Sequence, residues 1–386
     1  MWRNIASNAF TFLILGAVAL AGIITWGQQE YRAEGPLDQA ICLQVESGSN
    51  MRRVSEKLVA DGAVTRAWIF RTGADYSGKS QLLKAGSFRI PENASMQQIV
   101  EIITRGGANT CGTEVVYRIS IASVETQVRK LDPVSNRFVE VAAFDPAAEG
   151  LEIPAAYTEV RSEADTRYRI AMAEGVTSWQ VVEALKSAEF LTGEVGELPA
   201  EGSLAPDSYE VRAGSERAAL LAEMAARQAQ RLDEAWANRA ADLPLETPQE
   251  ALILASIVEK ETGLAEERRQ VASVFVNRLR KGMKLQTDPT VIYGVTNGQG
   301  ILGRGLRRSE LDRETPYNTY VIEGLPPTPI ANPGLAAIEA ALDPDETPYI
   351  FFVADGTGGH AFAVTLAEHN ANVAEWRKIE AERANQ

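Results

Sequence analysis

Two glutamates near the end of one predicted helix, Glu259 and Glu261, are the residues of this chain best placed for acid–base chemistry. The helix is predicted to begin at residues 247–250 (TPQE), where the threonine suits the N-cap, the proline the first turn and the glutamate a capping box. It continues through residues 251–262 (ALILASIVEKET) and ends at Gly263, a residue typical of helix C-termini.

The positions around this helix distinguish the two carboxyl groups. At roughly 100° per residue, Leu254, Ile257 and Val258 share one apolar face with Glu261, whereas Glu259 points well away from it. Burial disfavours the charged form of a carboxylate, so the pKa of Glu261 is expected to rise. A raised pKa suits a general acid near neutral pH, the role that glycosidic bond cleavage requires. The alternative is that Glu261 simply ends the helix and points into solvent, and the spacing alone leaves that alternative open.

The residues around and beyond this helix form a series of long motifs. They are 255–262 (ASIVEKET), 271–279 (VASVFVNRL), 283–294 (MKLQTDPTVIYG), 317–320 (YNTY), 324–327 (GLPP), 330–334 (IANPG), 352–356 (FVADG), 358–360 (GGH) and 369–370 (HN). In this order over residues 247–375, they closely resemble the endolytic murein transglycosylase family, also called YceG-like or MltG-like. Residues 206–209 (PDSY) resemble the family's Pro-Asp-Thr-Tyr, with serine replacing threonine. Residues 115–165 are longer than the equivalent stretch of typical members.

The resemblance implies a lytic transglycosylase that cuts bonds between N-acetylmuramic acid and N-acetylglucosamine inside nascent glycan strands and so terminates their elongation. The family's catalytic glutamate maps onto Glu261, the second glutamate of Glu-Lys-Glu-Thr. In the implied mechanism Glu261 protonates the glycosidic oxygen and then, as a carboxylate, removes the proton from the muramic acid C6 hydroxyl. The product is a 1,6-anhydro end formed without water, and no cofactor is implied.

Five polar residues are candidates for binding the sugar. Gln286, Asp288, Tyr317 and Asn318 lie in predicted loops, and His360 follows two glycines that let the backbone approach a ligand closely. Three of them have a structural alternative: the Asp288 side chain suits a turn before proline, Tyr317 suits packing, and His360 suits a structural hydrogen bond.

Two other functions remain open from the residues. The first is a glycan hydrolase that uses two carboxylates, with Asp288 or Glu259 as the second. The second is a peptidoglycan-binding scaffold without catalysis, in which residues 41–112 are the working part. An anhydro product is lighter by one water than a hydrolytic product, so product mass separates the first function from transglycosylation.

An apolar stretch near the N-terminus predicts a membrane anchor. Residues 9–27 carry no charge and span roughly 28 Å as a helix, close to the thickness of a bilayer core. Trp26 suits the interface, and Arg3 favours a cytoplasmic N-terminus with the body in the periplasm, held at the inner membrane. A cleaved signal peptide is the alternative, because residues 17–19 (AVA) and 19–21 (ALA) resemble cleavage sites. The longer apolar run favours the anchor. A tethered cutter meets new strands as they emerge, so peptidoglycan synthases are further expected partners.

Composition excludes some functions. The formal charge of −14 argues against a nucleic-acid partner, because neutralising phosphates requires a basic surface. The two cysteines and two histidines lack zinc-ligand spacing, so no metal is expected. Cys42 and Cys111 are either a disulfide outside the cytoplasm or two separately buried thiols, and the sequence leaves both open.

The 386 residues are enough for two or three domains, and their pattern predicts an α+β fold. Residues 41–45 and 85–91 are predicted strands, and 51–60 and 95–104 predicted helices, the last capped by Ser95 and followed by Gly106-Gly107. Residues 117–119 and 168–170 repeat Tyr-Arg-Ile and are predicted to be neighbours in a sheet. Residues 132–164 are predicted to form an inserted hairpin or loop. Residues 215–241 are predicted to form a long helix. The predicted domains are a cytoplasmic N-terminus (1–8), a transmembrane helix (9–27), a tether (28–40), a LysM-like module (41–112), a β-rich linking region with an insertion (113–212) and a catalytic domain (213–386).

Overall fold

The computed structural model describes residues 2–105, 110–148, 150–161, 163 and 166–384. The described chain mixes helices and strands, which confirms the α+β class. The α-helices are α1 (Trp2–Arg32), α2 (Met51–Ala60), α3 (Ala67–Tyr76), α4 (Met96–Thr104), α5 (Ala155–Val160), α6 (Ser178–Ser187), α7 (Arg217–Ala237), α8 (Pro248–Glu261), α9 (Arg268–Arg280), α10 (Asp288–Thr296), α11 (Arg308–Leu311), α12 (Leu335–Leu342) and α13 (Leu366–Ala384). The strands are β1 (Ile41–Val45), β2 (Gly86–Ile90), β3 (Thr113–Ile119), β4 (Val124–Asp132), β5 (Arg137–Phe144), β6 (Arg167–Met172), β7 (Ser208–Val211), β8 (Phe351–Ala354) and β9 (His360–Ala363).

These strands pair as β1–β2, as a sheet in the order β5-β4-β3-β6-β7, and as β8–β9. Strands β3 and β6 are neighbours, which confirms the predicted adjacency of residues 117–119 and 168–170. Strand β7 joins β6 antiparallel, with Ile170 opposite Tyr209. The region predicted as an insertion, residues 132–164, contains β5 and α5; its residues 149, 162 and 164 lie outside the described chain.

The chain divides into two compact units. The first comprises Met1–Val115, Val128–Ala143 and Ile153–Arg167, and the second Val116–Gln127, Phe144–Glu152 and Tyr168–Gln386. The finer division predicted from the sequence, including the LysM-like module, stays a prediction.

In the first unit, the strand and helix predictions of residues 41–104 are confirmed to within two residues at each end. Antiparallel β1 and β2 place Leu43 opposite Phe88, and both side chains are buried in the core of this unit. Ser95 caps α4 and forms a capping box with Gln98, as predicted; Gly106 and Gly107, expected after that helix, lie outside the described residues. Helix α3 was not predicted, because its N-cap residue, Arg66, makes no side-chain capping bond that would mark the start of a helix.

Helix α1 is long and apolar enough to cross a membrane over Phe10–Arg32, with a mean hydropathy of 2.0. A signal sequence can have the same length and apolar composition. The helix does not end with its apolar stretch: it continues through Arg32, into residues expected to form the tether. Beyond it, Leu37 and Ala40 are buried in the first unit. Residues 28–40 therefore pack against the folded unit, because apolar side chains are interspersed among the polar ones that indicated a tether.

The structure joins Cys42, on β1, to Cys111 in a disulfide, with Cα atoms 5.7 Å apart and a sequence separation of 69. By loop-closure entropy, a crosslink of this span stabilises the fold by about 4 kcal/mol. Replacing both cysteines with serine is therefore expected to lower the free energy of opening of β1 and β2 by about that amount. Native-state hydrogen exchange measures this. Adding reductant to the double variant should change nothing further; equal protection in the wild type and the double variant would contradict the prediction.

The second unit has two apolar clusters. One lies between the sheet and helices α6 and α7 and includes Tyr117, Ile170 and Leu185. The other surrounds α8, whose residues from Ala251 to Val258 are all buried, and includes side chains of α9 and α12. The long helix predicted over residues 215–241 is confirmed as α7, which is shorter at both ends than predicted.

Candidate active site at the end of helix α8

Glu261 is the last residue of α8, and the local sequence fixes where that helix begins and ends. Thr247 caps its start by accepting from the Glu250 N–H at 3.2 Å, with Pro248 in the first turn. The predicted capping box is not closed, because the Glu250 carboxylate accepts from the N–H of Glu246 at 2.5 Å. Thr262 takes an extended conformation that stops the helix. Glu261 therefore lies at the C-terminal end of a buried helix, where its backbone is helical and its side chain is half-buried.

The surroundings of Glu261 favour its protonated form. Burial raises the pKa of this carboxyl group above its ordinary value, and the negative charge of Asp288 raises it further. The Thr287 hydroxyl, His360 and Arg278 act in the opposite direction and lower the pKa. Burial is the largest of these effects, so Glu261 can hold a proton closer to neutral pH than a solvated glutamate does.

Thr287 is the direct hydrogen-bond partner of Glu261, donating from its hydroxyl to the carboxylate Oε1. Thr287 is buried, and its backbone N–H donates to the Thr319 hydroxyl at 3.0 Å. Thr290 completes the set: its hydroxyl lies 2.9 Å from that of Thr319 and donates to the Thr287 carbonyl at 2.8 Å. Thr290 and Thr319 thus position Thr287 so that its hydroxyl bonds the Glu261 carboxylate. None of the three was predicted as a site residue, although Thr287 and Thr290 lie within the motif of residues 283–294.

Replacing Thr287 with valine is expected to raise the pKa of Glu261, because the lost hydrogen bond stabilises the carboxylate. The acid would then stay protonated to higher pH. The alkaline limb of any activity that needs the acid form should move upward, and the rate should fall about tenfold as the carboxyl group loses its orientation. A pH–rate profile measures both effects. Thr290→Val disturbs the same network without touching the carboxyl group and should leave that limb in place; an unmoved limb in Thr287→Val would refute the prediction.

Glu259 also has a raised pKa through burial, which corrects the expectation that burial alone would single out Glu261. The reason is that α8 is buried on every side rather than along one stripe. The hydrogen-bond partners of the Glu259 and Glu261 carboxylates differ, however. The Glu259 carboxylate accepts from the Gly334 N–H at 2.9 Å and lies near Glu174, so it is bound to the backbone of another loop.

Arg278 brings a buried positive charge close to Glu261. Its guanidinium donates to the carbonyls of Ile350 and Leu285, both at 2.7 Å, and lies 5.4 Å from the centre of the Phe351 ring. Only 7% of the residue is exposed, and burial lowers its pKa. The only sequence feature that relates to this role is the position of the arginine in the motif of residues 271–279.

The predicted sugar-binding residues Gln286 and Asp288 flank Thr287, and both are exposed where Thr287 is buried. Gln286 has a left-handed backbone, φ 50°, and its N–H donates to the Thr319 carbonyl at 3.1 Å. Asp288 accepts from the Tyr320 hydroxyl at 2.7 Å. The structure thus brings Gln286 and Asp288 to the surface beside the residue that holds Glu261.

The side chains of Tyr317 and Asn318 bond to other groups of the protein. The Tyr317 hydroxyl lies 2.8 Å from that of Thr328, and its ring centre is 5.0 Å from that of Tyr293. Asn318 is buried, and its amide donates to loop carbonyls, among them that of Arg313 at 2.6 Å. These contacts give Asn318 a structural role, because its amide shapes the loop that carries Thr319.

His360 is held by the carboxylate of Glu267, a residue that was not among the predicted site residues. Its Nδ1 lies 2.8 Å from Glu267 Oε2, and its backbone N–H donates to Glu267 Oε1 at 2.9 Å. The ring stands edge-on to Phe352 at 5.1 Å. His360 is close enough to Glu261 to influence its charge, so Glu267 and His360 form one side of the same site.

Comparison with known proteins identifies relatives over most of the chain. The sequence model of the YceG-like family matches residues 43–166 and 147–375. An endolytic murein transglycosylase of Streptococcus pneumoniae serotype 2 is 27% identical over 383 residues, which cover 96% of this chain and 65% of that protein. One from Bacillus subtilis is 47% identical over 119 residues, 31% of this chain and 32% of that protein. A crystal structure of a yceG-like protein from Listeria monocytogenes is similar with a TM-score of 0.46 and 23% identity, covering 86% of this chain and 98% of that one. The chain thus spans just under two thirds of the length of the streptococcal relative.

Proposed function

This chain belongs to the YceG-like family, and from that premise we propose that it is an endolytic murein transglycosylase whose catalytic acid and base is Glu261. The observation that carries the proposal is the half-buried Glu261 carboxyl group, with its raised pKa and its hydrogen bond from Thr287. Both relatives compared above bear the name of this activity.

The proposed reaction uses one carboxyl group twice. Protonated Glu261 gives its proton to the oxygen that links N-acetylmuramic acid C1 to N-acetylglucosamine, and that C1–O bond breaks. The resulting carboxylate takes the proton from the C6 hydroxyl of the same muramic acid, and O6 bonds to C1. The acid is regenerated, the strand ends in a 1,6-anhydro sugar, and no water is consumed. A pKa raised above that of an ordinary carboxylic acid serves the first step, in which Glu261 must carry the proton.

The surface residues beside Glu261 would orient the strand. Gln286 and Asp288 are exposed and are proposed to bind sugar hydroxyl or N-acetyl groups, and His360, held by Glu267, is proposed to do the same. Tyr317 and Asn318 would act by holding the loop of residues 317–320. The proposed catalytic domain comprises residues 213–386.

A two-carboxylate hydrolase is the second candidate, because Asp288 is near enough to raise the pKa of Glu261. Mass spectrometry of glycan strands digested by the full chain separates the two. Transglycosylation predicts internal cleavage products lighter by one water than the hydrolytic products. Exclusively hydrolytic masses would refute the proposed reaction, and binding of strands without any cleavage would favour a scaffold.

The N-terminal helix is proposed to be a single-pass anchor in the inner membrane, with the N-terminus in the cytoplasm and the body in the periplasm. Its apolar, unburied surface over Phe10–Arg32 supports this. Protease added outside spheroplasts should degrade the body of a chain tagged at its N-terminus while sparing the tag. Release of the body into the soluble fraction without the N-terminal tag would instead indicate a cleaved signal sequence.

Residues 41–112 are proposed to be a LysM-like glycan-binding module, supported by the element order β1-α2-α3-β2. A chain lacking these residues should sediment less with insoluble peptidoglycan than the full chain. Peptidoglycan synthases are the proposed protein partners, since both would act on emerging strands. Repeated absence of any synthase after purification of the membrane-extracted chain would count against that partnership.

A further inference from the structure

A cluster of aromatic and basic side chains lies where helix α1 meets the first folded unit. The ring centres of Trp26, in α1, and Trp68, in α3, are 6.1 Å apart. The guanidinium carbon of Arg66 lies 5.1 Å from the centre of the Trp26 ring. Trp26 is 41% exposed and Trp68 47% exposed, unusually high for two large apolar rings in contact. We call Trp26, Arg66 and Trp68 the tryptophan cluster.

The end of α1 is packed against the folded unit rather than flexible. Tyr31 lies against Gly73 of α3, where a side chain larger than hydrogen would collide with its ring. Glu30 accepts from the Thr65 hydroxyl at 3.0 Å. Helix α1 is unbroken from its apolar stretch to these contacts. The position of the apolar stretch in a bilayer therefore also sets the position of α3.

The distances place α3 at headgroup depth. From Trp26 to the end of α1 at Arg32 is about 9 Å along the helix axis. The headgroup layer extends roughly 5–7 Å beyond the hydrocarbon core on each side. Since Trp26 ends the apolar stretch, it lies at the boundary of that core, and Trp68, in contact with it, lies within the same layer.

We propose that the tryptophan cluster is a membrane-docking surface that seats α3 of the first unit in the headgroup layer of the bilayer. Indole rings favour this layer because their flat apolar faces and N–H groups suit its mixed polarity. Arg66 can bond lipid phosphate or ester oxygens while it covers the Trp26 ring. Because the chain has a net charge of −14, attraction to anionic lipid does not explain the docking, so the aromatic rings must carry it and zwitterionic lipid suffices.

The inference rests on the proposed anchor, and single-tryptophan variants separate the two. The full chain would be reconstituted in phosphatidylcholine vesicles, with all tryptophans except one replaced by phenylalanine. Fluorescence would be compared between vesicles with and without phosphatidylcholine brominated near the top of its acyl chains. Trp26 alone reports the anchor, Trp68 alone reports the docking, and Trp236 alone, which packs against the core around α8, gives the background.

We expect brominated lipid to lower the emission of both Trp26 and Trp68 about twofold relative to unbrominated lipid, with little change for Trp236 and little effect of added salt. Quenching of Trp26 with Trp68 no more quenched than Trp236 would overturn the docking surface and leave the anchor intact. An unquenched Trp26 would overturn the anchor, and with it the docking. Quenching of Trp68 only in anionic vesicles, abolished by salt, would contradict the role given to the aromatic rings.

Discussion

Replacing Glu261 with glutamine is expected to lower strand cleavage by about a thousandfold or more, because positioned proton transfer contributes roughly 10²–10⁴ and both proposed steps depend on this group. Glutamine keeps the shape and can still accept from the Thr287 hydroxyl, but it can neither donate the acidic proton nor take one back. Release of anhydro-ended strands, followed by mass spectrometry, measures the loss. Sedimentation with peptidoglycan should be unchanged, since binding does not need the proton.

The matched control lies two residues away in the same helix. Glu259 also has a pKa raised by burial, but its carboxylate is bound to the Gly334 N–H, and a glutamine oxygen can accept the same bond. Glu259→Gln is therefore expected to keep cleavage within about tenfold of the wild type. Cleavage by Glu261→Gln at the wild-type rate, or equal loss in both variants, would remove the reason for assigning catalysis to Glu261.

Replacing Arg278 with methionine is expected to lower the free energy of unfolding of the second unit by about 3 kcal/mol. The guanidinium is buried and donates to the carbonyls of Ile350 and Leu285, which would be left without these donors inside the protein. Methionine fills a similar length but supplies no donor. Urea unfolding monitored by circular dichroism measures the change.

The same substitution should also affect the chemistry. Arg278 lowers the pKa of Glu261, so its loss should raise that pKa further and move the alkaline limb of the pH–rate profile upward. Arg280→Met is the control: Arg280 lies in the same helix but is exposed, and its replacement should change stability by less than about 1 kcal/mol. Equal stability of the two variants would show that the carbonyl bonds of Arg278 contribute little.

Local signals in the sequence were sufficient wherever a boundary depends on neighbouring residues. Thr247 and Pro248 start α8, and Ser95 starts α4, as predicted, because a cap bonds to backbone only three residues away. The repeated Tyr-Arg-Ile predicted that β3 and β6 pair, since strands that cover the same core need similar alternation. Helix α3 was missed because its start lacks a capping side chain and its glycine, Gly73, weakens the helical pattern for a reason that lies in α1.

The sequence by itself determined the α+β class, the apolar N-terminal helix and, through its ordered motifs, the family; the same motifs are the basis for proposing Glu261 as the catalytic group. It could not determine the surroundings of that carboxyl group. Thr287, Arg278 and Glu267 lie 26, 17 and 6 residues beyond Glu261, and only the tertiary structure decides which of their atoms meet. Helix periodicity predicted a single buried stripe and so separated Glu261 from Glu259 by burial. The fold buries α8 on all sides, and the two carboxyl groups differ instead in their hydrogen-bond donors: the Thr287 hydroxyl for Glu261, and the Gly334 backbone N–H for Glu259. Hydrogen-bond geometry depends on residues far apart in sequence, which is why the distinction emerged only from the folded chain.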